Sequence, residues 1–112
     1  MSAFDDLTVR EAREFARIFV GGLADAHPWK VGEQYFIRTV TMHLIGRLVE
    51  VYPQELVLES TVWVADSGRF AEAMRTGKLE EVEPFPAGRV IVGRGGIIDA
   101  AIWSHALPTE VK

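Results

Sequence analysis

Apolar and polar positions along this chain change period twice, and the changes divide it into elements. From Val9 to Val20 the apolar residues Val9, Ala12, Phe15, Ala16, Ile18, Phe19 and Val20 share one broad face at about 100° per residue, with Arg10, Arg13, Glu14 and Arg17 opposite. Thr8-Val-Arg-Glu11 has the capping-box spacing, and Gly21-Gly22 ends the pattern, so a helix is predicted over 8–22. Beyond it, Leu23–Glu33 reads as a loop. His27-Pro28-Trp29 cannot continue a helix, and Trp29 reads as a plug over an open end of the barrel, with a stacking platform as the alternative.

Three strands are predicted over 34–65. Tyr35–Val40 and Leu44–Val51 are rich in β-formers, with Thr41-Met42-His43 as the bend. In Glu55–Ala65, Leu56, Leu58, Val62 and Val64 alternate with Val57, Glu59, Thr61 and Trp63. Both faces of that strand's end are largely apolar, as where a sheet is covered on one side by its own barrel and on the other by a helix or a second subunit.

A helical insertion is expected over 66–88. Asp66-Ser67-Gly68 offers a cap, Arg69–Thr76 reads as a short helix closed by Gly77, and Lys78–Gly88 reads as an acidic connection containing prolines. Strands four and five fill 89–103, as Arg89–Gly93 and Gly96–Ile102 around a tight turn at Arg94-Gly95. Three glycines within four residues there suit positive φ and the close approach of another chain.

Composition narrows the class. A chain of 112 residues fits one domain, and 48% hydrophobic content with 10 Gly and 5 Pro describes a globular protein. With no cysteine, disulfide and thiolate metal chemistry are excluded. The opening Met-Ser-Ala-Phe-Asp-Asp is acidic where a signal peptide is basic, and no run has the length of a membrane span, so a cytoplasmic location is expected. A net charge of −4 argues against broad electrostatic binding of nucleic acid. Glu80, Glu81 and Glu83 form a solvated acidic face, whereas Arg10, Arg13 and Arg17 make a basic stripe that a phosphate can meet.

Catalysis finds no support. His27, His43 and His105 lie in no metal-ligand spacing, and no nucleophile–base pair stands out. Gly93-Arg94-Gly95-Gly96 lacks the strand–loop–helix context and the lysine of a phosphate-binding loop. No enzyme activity, cofactor or metal is expected.

Two motifs carry a family resemblance. Gly46-Arg47-Leu48 followed by Leu56-Val57-Leu58 resembles the first motif of the Sm-like superfamily, and Arg94-Gly95-Gly96-Ile97-Ile98 resembles the second. The order of a helix and five strands matches over nearly the whole chain. An enlarged connection between strands three and four is similar to that of Sm-like proteins encoded by phages and mobile elements. The resemblance implies a mainly β fold with an N-terminal helix: a small, strongly bent five-stranded Sm-like barrel of SH3 type with a short helical insertion.

It also implies a closed homo-oligomeric ring, in which strand four of one subunit pairs with strand five of the next, with Val90, Ile91, Val92, Ile97, Ile98 and Ile102 along the seam. Single-stranded RNA at the pore is the implied ligand, with Tyr52, Gln54, Arg94 and Gly95, and the stripe Arg10, Arg13 and Arg17, as candidate contacts. The first-motif loop departs from the family. It reads Val51-Tyr52-Pro53-Gln54-Glu55, one residue short, with Glu55 where the family has Asn and no Asp. A carboxylate at that place repels phosphate. A structural ring that contacts protein is therefore the alternative, supported by the apolar residues Trp63, Trp103 and Leu107. A monomeric SH3-like barrel that binds peptides is the third reading.

Overall fold

A computed structural model of the chain describes residues 26–112. The helix expected over 8–22, and with it Arg10, Arg13 and Arg17, lies outside the described residues. The described part is mainly β, with one short helix. Its order is β1 (Gln34–Thr39), β2 (His43–Val51), β3 (Glu55–Asp66), α1 (Phe70–Thr76), β4 (Glu81–Pro84), β5 (Arg89–Gly93), a 3-10 turn (Arg94–Gly96) and β6 (Ile97–Ile102). Among the described residues, no helix is long and apolar enough to cross a membrane.

All pairings are antiparallel. The strands run β4-β3-β2-β1-β6, and β5 also pairs with β3. The twelve-residue β3 makes this possible by serving two partners: Glu55–Glu59 pairs with β5 and Val62–Asp66 with β4. Lengthwise, β2 would span roughly 26 Å if straight. Yet both loops flanking it bond to the same three-residue turn. Arg94 N donates to Gln54 O at 2.8 Å, and Val40 N donates to Gly96 O at 3.0 Å. The sheet is therefore rolled, although β5 and β6 do not join in a ladder and it remains open.

The bend has an identifiable site. Ile45 faces Val62 and Arg47 faces Glu59, so Gly46 alone stands opposite Ser60 and Thr61. That is a β-bulge, which sharpens local twist. Ser60 takes φ 51, a left-handed conformation that costs a non-glycine residue about 1–2 kcal/mol. A Cβ on Gly46 would meet Thr61 Oγ1 at 3.0 Å, so only glycine leaves room for β3 to cross this closely.

The bulge also switches which side chains of β3 face which core. Leu56 and Leu58 join Tyr35, Ile37, Leu44, Leu48 and Val92 in a cluster enclosed by the rolled strands, with Trp29 packed against it. Trp29 meets Tyr35 edge-on at 5.1 Å and so plugs that end. Val62 and Val64 join Phe36, Ile45, Ala73, Leu79, Val82 and Trp103 on the opposite side, beneath α1. Burial on two faces accounts for the dense apolar pattern, each buried aliphatic or aromatic side chain contributing roughly 1.5–3 kcal/mol.

Several details differ from the sequence expectation. A sixth strand, β4, lies inside the stretch read as an acidic connection. Its single inward residue, Val82, is flanked by exposed Glu81 and Glu83, so the pattern is too short and too charged to read as a strand. Asp66 does not cap α1; its carboxylate accepts from Gly68 N at 2.8 Å, and the helix starts after Arg69 without a side-chain cap. Gly77 does close it, at φ 77. Gly93, Gly95 and Gly96 take no positive φ, because the connection is a 3-10 turn.

Trp103 and Leu107, cited above in support of a protein-contacting ring, belong to the core or pack against it. They start a C-terminal strap. Trp103 N bonds Gln34 O at 2.8 Å, His105 Nε2 lies 2.7 Å from Met74 O at the end of α1, and Lys112 exchanges two backbone bonds with Val82. The strap thus ties α1 to the sheet and covers the outer edge of β4.

Candidate functional site

The loop between β2 and β3 is closed by Tyr52 N donating to Glu55 O at 2.8 Å, which leaves Pro53 and Gln54 at its tip. Tyr52 is 47% exposed. Its hydroxyl donates to Glu50 Oε2 at 2.8 Å, and the other Glu50 oxygen accepts from Arg89 Nη1 at 3.1 Å. This bond to a carboxylate, together with the negative charge itself, raises the Tyr52 pKa above its ordinary value.

Arg94 reaches the same loop from the 3-10 turn. Its backbone N–H meets Gln54 O, and its Nη1 donates to Tyr52 O at 2.7 Å. Tyr52, Gln54, Arg94 and Gly95 are therefore gathered at one end of the rolled sheet, as the motif pair implies. Two further members, Glu50 and Arg89, were not singled out in the sequence. Each looks like an ordinary solvated strand residue until register brings β5 against β3 and its neighbour β2.

Chemically, the site offers an oriented aromatic ring beside an exposed amide, with Glu50 and Glu55 offset by Arg89 and Arg94. One Arg94 donor is spent on the loop backbone, so its role here is to hold the loop. No group of three or more His, Asp or Glu able to hold a metal occurs among the described residues.

The six seam residues divide by exposure. Val92 is buried, and Val90 and Ile97 pack against the enclosed core. Ile91 is 71% and Ile98 66% exposed, and Ile102 is exposed as well. β5 pairs only with β3 and β6 only with β1, so each presents an unpaired outer edge among the described residues. Compared with known proteins, the chain matches no family model, no curated protein and no solved structure.

Proposed function

We propose that the chain is an Sm-like ring protein that assembles with copies of itself by pairing β5 of one subunit with β6 of the next. The observation that carries this reading is the pair of edges unpaired among the described residues, each bearing exposed isoleucine. Long apolar edges are templates for another strand, and natural sheets ordinarily blunt them with charge or proline. Here β4 has its covering strap, whereas β5 and β6 expose Ile91, Ile98 and Ile102. Because the two edges differ, the contact is head-to-tail, and a head-to-tail contact closes into a ring when its rotation divides a full turn. The strand succession β6-β1-β2-β3-β5, with the short 3-10 turn joining β5 to β6, supports the SH3-type barrel of that superfamily.

Lysine at both Ile91 and Ile98 tests the proposal. These side chains are exposed in the single chain, so the variant keeps its circular dichroism and melting behaviour to within about 0.5 kcal/mol of intrinsic subunit stability. Its assembly is lost in light scattering. An assembled Ile91→Lys/Ile98→Lys variant of unchanged mass overturns the seam.

Tyr52 supports a second reading, in which the ring carries single-stranded RNA. A ring fixed by its bond to Glu50 is a ready stacking surface, and stacking contributes about 1–3 kcal/mol per base. Tyr52→Ala then weakens binding of oligo-U or oligo-A at least about fivefold without changing the mass of the assembly. Purified protein with no affinity for either oligomer removes this reading and leaves the protein-contacting ring.

A further inference from the structure

Away from the Tyr52 loop, at the other end of β2, Met42, Trp63, Glu83, Pro84, Phe85 and Pro86 line a cavity of about 400 Å³. Pockets that hold small molecules occupy roughly this range of volume. Its walls are already fixed. Trp63 lies in the middle of the sheet, facing Leu44 on one side and Glu83 on the other. Directly opposed residues of an antiparallel pair project to one face about 4.5–5.5 Å apart at Cβ, so Trp63 and Glu83 line the cavity from the same face of the sheet. Two prolines bracket Phe85 and restrict its backbone, while Phe85 N donates to Thr61 O at 2.9 Å. Met42 is held by Thr39, whose hydroxyl donates to Met42 O at 2.8 Å and accepts from Met42 N at 3.0 Å.

The chemistry of this lining selects one kind of occupant. It comprises two aromatic rings, a thioether, two prolines and a single carboxylate, with no basic residue. Glu83 has no ion-pair partner among the described residues. An anion is repelled by Glu83. A purely apolar guest leaves the one charged group of the lining without a counter-charge. A cation with an apolar skin answers both demands, because aromatic faces attract it and the carboxylate neutralises it.

We propose that this cavity binds a small alkylated ammonium ion. None of its lining residues belongs to the proposed seam or to the Tyr52 loop. Trp63, 39% exposed, is its natural reporter.

The test uses the full chain and follows the indole N–H signals of Trp29, Trp63 and Trp103 by NMR. The probes are choline and its neutral isostere, in which carbon replaces the quaternary nitrogen. Choline should move the Trp63 signal saturably and leave Trp29 and Trp103 in place, with the isostere binding roughly tenfold more weakly. Glu83→Gln, a change at an exposed strand position, should weaken choline about fivefold and leave the isostere unaffected. Equal binding of choline and isostere, an unchanged choline affinity in Glu83→Gln, or no movement of Trp63 up to about 50 mM choline each overturns the proposal.

Discussion

Replacing Gly46 with alanine tests whether the sheet is rolled by the close crossing of β2 and β3. The added Cβ would lie 3.0 Å from Thr61 Oγ1, 3.2 Å from Leu58 Cβ and 3.3 Å from Leu58 Cδ1. Leu58 and Thr61 are both buried, so neither side chain can swing into solvent to make room. Overpacking of this kind costs about 1–3 kcal/mol. Alanine also narrows the unfolded ensemble, which returns about 0.4–1 kcal/mol, because Gly46 needs no left-handed φ. The midpoints leave a net loss of about 1.3 kcal/mol, or roughly 5–10 °C in melting temperature for a domain of this size. Urea unfolding followed by circular dichroism measures it, with an unchanged m-value marking a true stability effect.

Thr61→Ala separates the contact from general strain. Among the described residues Thr61 Oγ1 has no hydrogen-bond partner, so its removal takes away the nearest obstacle to the new Cβ without breaking a bond. Relative to the sum of the single changes, the double variant should be more stable by about 0.5–1 kcal/mol. A Gly46→Ala protein as stable as the parent, or two strictly additive changes, refutes the reasoning.

Other perturbations probe the remaining parts of the structure. Gly77→Ala should destabilise by about 2–3 kcal/mol in thermal unfolding, since position 77 has φ 77 and the new Cβ would lie 2.7 Å from His105 Cγ. Trp103→Ala should cost about 3–5 kcal/mol and release the strap, read as faster amide exchange at Lys112 and Val82. The Arg38 guanidinium, bonded to both oxygens of Asp99, holds that carboxyl below the usual carboxylate range. Because the folded-state pKa is lowered, the stabilisation is present above the ordinary carboxylate value and lost as pH falls through the folded one. Asp99→Asn should therefore be less stable than the parent at neutral pH, with the gap closing as acid denaturation is approached.

Local pattern exposed some of this structure and hid the rest for definite reasons. Leu44–Val51 and Glu55–Ala65 were legible as strands, but the burial of the second on both faces falls at its start, Leu56-Val57-Leu58, and not at the end where Trp63 is exposed. The Ser60–Thr61 bulge was not legible, since a serine in left-handed conformation carries no signal beside a run of β-formers. β4 stayed hidden because one valine among glutamates and a proline looks like a linker until β3 pairs with it. Trp103 was not placed in the core because the strap that buries it has no periodicity. At the Tyr52 loop, motif spacing brought Tyr52, Gln54 and Arg94 together. Glu50 and Arg89 depended on register, which spacing along the chain does not encode.

The absolute mass of the purified chain in solution, followed by light scattering from high to low micromolar concentration, tests the ring most directly. Closed pairing of β5 with β6 predicts one oligomer of fixed mass across that range, because breaking a ring opens two seams at once. A monomer throughout, or a mass that climbs continuously with concentration, contradicts it.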